Sequence, residues 1–290
     1  MTLRASIAIV AAAAVLLSSS GCERRQSGPA TVAITHVTLI DGTGAEPRRD
    51  QTVLIDGERI GLIGASGAIN VPRSARVVDG TGKYLLPGFW DLHVHLHFGT
   101  PDVLPVFVAN GITGIRELDT PMPTIDSIRA SARAGALLTP RILAAGKMIE
   151  AGELEPMLAK APPAISEFAK GDRVYVHSAD EARAKVRELA ALKPDLLKHH
   201  NVLKRDIFFA VLDEAKKAGL RVSGHFPAGE KITLREVAEA GQATIEHLGW
   251  PGVSADFKAM TPAGQDSLVA IVKQSGLGFV PTLVVGDFSK

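Results

Sequence analysis

Cysteine is almost missing from this chain: Cys22 is the one thiol in 290 residues. An internal disulfide framework is thereby excluded, and no second thiol exists to complete a zinc knuckle, so any metal ion must be held by histidine, carboxylate or lysine. A surplus of either charge is missing too. With 32 basic against 31 acidic residues and no basic block, little on the chain would attract a phosphate backbone, which argues against nucleic acid as a partner. The apolar run over residues 7–17 holds eleven residues, too few to span a bilayer. What is present is a globular composition, 46% hydrophobic and 22% charged, sufficient for one large domain or two moderate ones.

The position of the lone cysteine is informative. Arg4 precedes the apolar run, and Ser18-Ser19-Ser20-Gly21 leads from it into Cys22, the layout of a charged start, short apolar core and small-residue cleavage site. Residues 1–21 resemble a bacterial lipoprotein signal, in which the cysteine becomes the lipidated first residue of the mature protein. The plainer alternative is an ordinary secretory signal with an incidental cysteine. Both readings take the chain out of the cytoplasm, and the first makes it a membrane-anchored lipoprotein facing the periplasm or the cell exterior. Residues 22–30, with Glu23-Arg24-Arg25-Gln26-Ser27-Gly28-Pro29, then read as a polar tether.

Residues 31–85 carry short alternating, β-branched runs at 31–40, 52–55, 60–63 and 76–79. Asp41-Gly42-Thr43-Gly44, Asp56-Gly57 and Gly80-Thr81-Gly82 punctuate them as turns, so a small β-domain is expected here. From residue 86 to 290 the texture changes to apolar strands alternating with helical stretches, the pattern of a parallel sheet with helices outside it. Strands are expected at 89–96, 114–118, 141–145, 195–199, 221–225, 243–247 and 278–285, most of them announced by a turn signal. Amphipathic helices are expected over 179–192 and 207–218, the first with Ala182, Val186, Leu189 and Ala190 on one face and Ser178 or Asp180 as cap. Seven of the eight units of a (β/α)8 barrel are thus visible.

Pro87-Gly88-Phe89-Trp90-Asp91-Leu92-His93-Val94-His95-Leu96-His97 is the run richest in chemistry. Side chains alternate faces along a strand, so His93 and His95 point the same way and can bind one ion, while Val94 and Leu96 face the apolar side. Chance placement of histidines in a core strand is the bland alternative. Lys198, His225 and His247 each fall at the C-terminal end of an expected strand, which in such barrels is the active-site rim. Taken singly, each has a structural explanation; together with the histidine pair their placement points to one site. His199 and His200 are alternative ligands, although on a strand His199 faces away from Lys198.

The chain resembles the amidohydrolase superfamily of metal-dependent hydrolases, in its imidazolonepropionase-like and prolidase-like branch. The resemblance rests on Leu39-Ile40-Asp41-Gly42-Thr43-Gly44, on Tyr84-Leu85-Leu86-Pro87-Gly88-Phe89-Trp90-Asp91-Leu92-His93-Val94-His95, on Asn110-Gly111-Ile112-Thr113-Gly114-Ile115-Arg116, and on Glu246-His247 following Ala240-Gly241. It implies an α/β fold, a TIM-type (β/α)8 barrel beside a small β-sandwich. It also implies His93, His95, Lys198, His225 and His247 as ligands of one or two divalent ions, zinc or a similar metal, with Lys198 N-carboxylated if two ions are bound.

The implied activity is hydrolysis of a carbon–nitrogen bond in a small amide, dipeptide or cyclic amide by metal-activated water. In the family an aspartate ending the eighth strand shuttles the proton. No residue here matches it, because the chain stops at Lys290 just after the seventh strand; Asp287 belongs to the seventh unit. The expectation is therefore an enzyme whose barrel is incomplete at the C-terminus. Its alternative is a lipid-anchored metal-binding protein, or an inactive truncated pseudoenzyme.

Overall fold

The computed structural model describes residues 26–96, 101–201, 204–227, 231–247 and 260–283. The signal-like segment with Cys22, His97 and Asp287 lie outside the described residues. The chain divides into two compact units, Met1–Pro87 and Gly88–Lys290.

The first unit is one sheet of five strands: β1 (Val32–Leu39), β2 (Arg48–Asp56), β3 (Arg59–Ala65), β4 (Arg76–Asp79) and β5 (Tyr84–Leu85). The strands run in the order β3-β2-β1-β4, with β5 also paired to β1. Alternation along β1 buries Ala33, Thr35, Val37 and Leu39, and Ala33 joins Ala30, Leu54 and Ile69 in the core of this unit. Asp56 pairs with Arg59 across a two-residue hairpin loop, where Gly57 takes a φ of +57° that a side chain would resist. The turn expected at 41–44 is an Asx turn: the Asp41 carboxylate accepts from the Thr43 backbone N–H at 3.1 Å and from its hydroxyl at 2.7 Å. Asp79 and Thr81 repeat that arrangement at 3.0 and 2.7 Å.

The second unit alternates strands and helices. Its strands are β6 (Phe89–Val94), β7 (Ile112–Glu117), β8 (Arg141–Ala144), β9 (Met148–Ala151), β10 (Arg173–Val176), β11 (Leu197–His199), β12 (Val222–Gly224), β13 (Thr244–Glu246) and β14 (Gly278–Val280). Its helices are α1 (Leu104–Ala109), α2 (Met122–Arg133), α3 (Glu155–Ala159), α4 (Pro163–Asp172), α5 (Ala179–Ala191), α6 (Arg205–Lys217), α7 (Leu234–Glu239) and α8 (Pro262–Ser275). All strand pairs in this unit are parallel, in one sheet ordered β6-β7-β8 and another ordered β10-β9-β11-β12-β13-β14. This is the architecture of a partial TIM-type barrel.

Helix α5 forms as its periodicity requires: Ala182, Val186 and Leu189 are buried, and the Ser178 hydroxyl caps it by accepting from the Glu181 N–H at 3.2 Å. Helix α6 buries Ile207, Phe208, Val211, Leu212 and Ala215 on the same core, together with Leu197, Val222 and Ile245 from the strands. A second cluster unites Val94 and Leu96 with Leu104, Ile115, Met122 and Ile125. The apolar face expected opposite the histidine pair is therefore packed.

Two strand bounds and one unassigned stretch need correction. The first strand ends at Val94 rather than residue 96, because its register with β7 shifts between Asp91 and Val94. The seventh ends at Val280, before Pro281, which has no N–H to continue a ladder. Residues 148–176, left without elements by the sequence pattern, contain β9, α3, α4 and β10. Strand β9 is buried at all four positions and so shows no alternation to read. It lies between β10 and β11, pairing Ile149 with His199.

Candidate metal centre

Strand β6 carries His93 to its end, and His95 follows one residue beyond. Their Nε2 atoms converge to 3.1 Å. One ion can bridge that separation, since zinc–imidazole bonds are about 2.0–2.1 Å long. The opposite ring nitrogens are held by buried carboxylates: His93 Nδ1 meets Glu246 Oε2 at 2.8 Å, and His95 Nδ1 meets Asp119. A carboxylate that accepts a hydrogen bond from Nδ1–H keeps the ring proton on Nδ1 and leaves the Nε2 lone pair free for a metal.

The remaining imidazoles extend this pair into a row. His93 lies 4.5 Å from His247 between ring centroids, His247 lies 5.0 Å from His225, and His225 lies 4.4 Å from His200. His225 and His247 each sit one residue past a short strand, β12 and β13. His247 has a φ of +64°, a left-handed conformation uncommon for a non-glycine residue. Its Nδ1 lies 2.5 Å from the Thr282 hydroxyl. Lys198, on β11, is fully buried, and its pKa is lowered to about 8 by burial. His199 points the other way, as alternation demands: its ring lies 5.4 Å from Phe208 and its Nε2 is 3.1 Å from Gln242 Oε1. Strand β12 must pass close to that ring, and Gly224 permits it, because a Cβ there would fall 2.2 Å from His199 Nε2.

Burial keeps these rings neutral. It lowers His95 and His247 to about 4 and pushes His93 and His225 down as well, with the Lys198 charge adding to the effect. Burial works to raise Glu246, but the hydrogen bond from His93 and the charges of Lys198 and Arg116 outweigh it and hold that carboxyl at about 2. Arg116 crosses the interior to do so. Its Nη2 donates to Glu246 at 2.6 Å, its Nη1 to Ser223 and Thr244 at 3.1 and 3.0 Å, and its Nε to the Leu92 carbonyl at 2.7 Å. Glu117 accepts from the N–H groups of Leu96, Asp119 and Thr120 and from the Thr120 hydroxyl, bracing the loop that carries Asp119.

The donor set suits a borderline divalent cation, which favours neutral imidazole and carboxylate oxygen. Donor atoms of His95, Glu117 and Asp119 also lie within 4.8 Å of one another, a further grouping that could hold an ion.

Residues 84–263 match the amidohydrolase family. The chain belongs to that family. Among curated relatives it is similar to an adenine deaminase of Rubrobacter xylanophilus, 35% identical over 68 residues that cover 23% of this chain and 11% of the relative. An imidazolonepropionase of Arthrobacter sp. is 43% identical over 67 residues, covering 22% of this chain and 16% of the relative. The matched stretches thus span under a fifth of either relative. Among solved structures, a Xaa-Pro dipeptidase with bound methionine superposes with a TM-score of 0.67 at 23% identity, over 89% of this chain and 68% of that one. The A. niger ochratoxinase superposes at 0.65 and 17% identity, over 87% and 65%. At such identities the likeness is one of fold.

Within this amidohydrolase the five residues singled out by sequence fall in one region: His93, His95, His225 and His247 share ring contacts, and Lys198 acts electrostatically on all four. The sequence reading missed the carboxylates behind them. Asp119 and Glu246 are 24 and 153 positions from the histidines they hold, and Glu150 is 50 from His200. No local spacing encodes those pairs. The available hint was that acids beside or after strand ends, such as Glu246 next to His247, occupy the same rim.

Proposed function

We propose that this amidohydrolase is a metal-dependent hydrolase that cleaves the carbon–nitrogen bond of a small amide, with dipeptides and cyclic amides as the substrate class. The observation that carries the reading is the convergence of His93 and His95 at Nε2 with a buried carboxylate on each Nδ1. The fold likeness to a Xaa-Pro dipeptidase and the sequence likeness to imidazolonepropionases support the substrate class.

His93, His95, His225 and His247 would hold the ion or ions, zinc being the metal that imidazole donors suit. A bound ion of this kind polarises a carbonyl oxygen and lowers the pKa of a bound water to about 7. Every other contribution comes from the chain. Glu246 and Asp119 fix the tautomers and orientations of the first two rings, and Arg116 fixes Glu246. Burial keeps the imidazoles deprotonated, which metal binding requires. If carboxylated, Lys198 would offer a carbamate oxygen to an ion, the carbamate forming when its neutral amine adds to carbon dioxide and releases a proton. Residues 1–21 would direct export, with Cys22 as the lipidated anchor.

The purified protein, tested on a panel of Xaa-Pro dipeptides and cyclic amides, should hydrolyse a member of it, lose turnover to a chelator, and regain it with zinc. His93→Ala combined with His95→Ala should abolish both turnover and most of the bound metal. Full metal content in that double variant would overturn the site. Turnover indifferent to chelation would overturn the mechanism.

A further inference from the structure

We propose that Gln242 is a positioning residue for the metal centre: its buried amide joins, on the side of the sheet where His199 packs against α6, the three strands that present Lys198, His225 and His247. The inference rests on the metal-dependent reading above and deepens it.

Strands β11, β12 and β13 are adjacent and parallel, and each is three residues long. A ladder that short makes few hydrogen bonds with which to hold its ends. The β12–β13 pairing stops at Gly224 and Ile245, so His225 and His247 lie beyond it. Gln242 supplies further ties. Its Nε2 donates to the Gly224 carbonyl at 3.1 Å and to the Thr244 carbonyl at 2.8 Å, one acceptor on each of two strands. Only the amide nitrogen can serve two carbonyls, so Oε1 is turned to His199, whose Nε2 lies 3.1 Å away and must donate. Three strands are thereby joined at a single side chain. Each grip lies close to the centre: His199 follows Lys198, Gly224 precedes His225, and the Thr244 hydroxyl lies 2.6 Å from Glu246 Oε1, on the carboxylate behind His93.

The cluster is closely fitted. Gln242 is anchored at its base by its backbone N–H, which donates to the Val237 carbonyl of α7 at 3.3 Å. The His199 ring meets Phe208 edge-on and fills the space that a Cβ on Gly224 would need. His199 and Gln242 are both buried, against Phe208 and Val237 of the main apolar core. A buried amide in such surroundings costs desolvation that an apolar side chain would avoid, but once fully bonded it fixes one arrangement where apolar contacts tolerate several. Ligating side chains must be held to within about 0.5 Å of their productive positions. A ligand set drawn from separate short strands meets that demand only if the strands are locked to one another.

Zinc affinity of the purified protein, measured by competition with a chromophoric chelator beside the melting temperature of the metal-free form, tests this. Gln242→Met keeps the length of the side chain and removes all three hydrogen bonds. It should weaken zinc about tenfold and shift the ligand-field bands of the cobalt-loaded protein, which report the arrangement of donors. His199→Phe keeps the packing on Phe208 and the amide's hold on both carbonyls, so it should weaken zinc by a smaller factor, and it decides the matter should the methionine variant not fold. Without the amide His199 has nothing to tie, so the double variant should bind zinc as Gln242→Met does. Unchanged zinc affinity and cobalt bands in Gln242→Met, even with a lowered melting temperature, would overturn the proposal. Wild-type affinity in His199→Phe, or additive effects of the two substitutions, would do the same. Those outcomes leave metal dependence intact, whereas a wild type that takes up no zinc would remove the metal-dependent reading and the proposal with it.

Discussion

At the scale of single residues, this protein concentrates charge where charge is costly. Glu117, Asp119, Glu150, Asp172, Lys198 and Glu246 are all buried in the second unit. Most are held by hydrogen bonds or opposite charges, which is the condition under which buried ions persist. Asp172 is the least supported: one carboxylate oxygen lies 3.5 Å from Arg173 Nη1, and the other has no hydrogen-bond partner among the described residues. Burial, against the pull of Arg173, raises its pKa from 3.8 to about 6. A carboxyl raised in the folded state contributes stability that is complete below its unfolded pKa and is lost as pH rises through its folded value. Wild type should therefore lose stability relative to Asp172→Asn between about pH 4 and pH 6. Melting curves recorded across that range decide the point; a constant offset between the two proteins would contradict it.

At the scale of elements, sequence pattern worked where the period was intact. Helix α5 was readable because Ala182, Val186 and Leu189 recur on one face and Ser178 stands at the cap. Strand β9 was not, because Met148, Ile149, Glu150 and Ala151 are all buried, and a strand covered on both faces has no period to detect. Local capping is a quantity that can be measured in isolation. At α7 the Thr233 hydroxyl accepts from the Glu236 N–H at 3.2 Å while the Glu236 carboxylate accepts from the Thr233 N–H at 2.9 Å. Thr233→Ala removes the hydroxyl that accepts from the Glu236 N–H, leaving only the backbone half of the box, and should lower stability by about 1 kcal/mol. Helix α7 places Leu234, Val237 and Ala238 in the main core, so the loss should appear in global denaturant unfolding. An unchanged midpoint would show the box to be dispensable.

At the scale of the whole molecule, two units share the chain, a five-stranded sheet and a parallel α/β unit that carries the candidate metal centre. The proposed anchor belongs to this scale because it decides where the molecule works. Expressed in a Gram-negative host, the protein should sediment with membranes, and Cys22→Ser should release it to the soluble periplasmic fraction. Wild type recovered wholly in the soluble fraction would refute the anchor while leaving export open. No described helix is long and apolar enough to cross a bilayer.

Sequence alone determined the pieces that depend on near neighbours. Alternation put His93 and His95 on one face and sent His199 away from Lys198, and turn residues such as Asp41 and Gly57 set the hairpins of the first unit, because both effects act over two to four residues. The amidohydrolase resemblance was legible for the same reason, resting on short contiguous runs. Only tertiary structure decided which carboxylate stands behind which histidine. Glu246 reaches His93, Asp119 reaches His95 and Glu150 reaches His200 only after separate strands are laid side by side. It likewise decided the neutrality of the imidazoles, which follows from burial beneath several elements at once. Linear order carries backbone periodicity, whereas desolvation and long-range hydrogen bonding are properties of the packed interior.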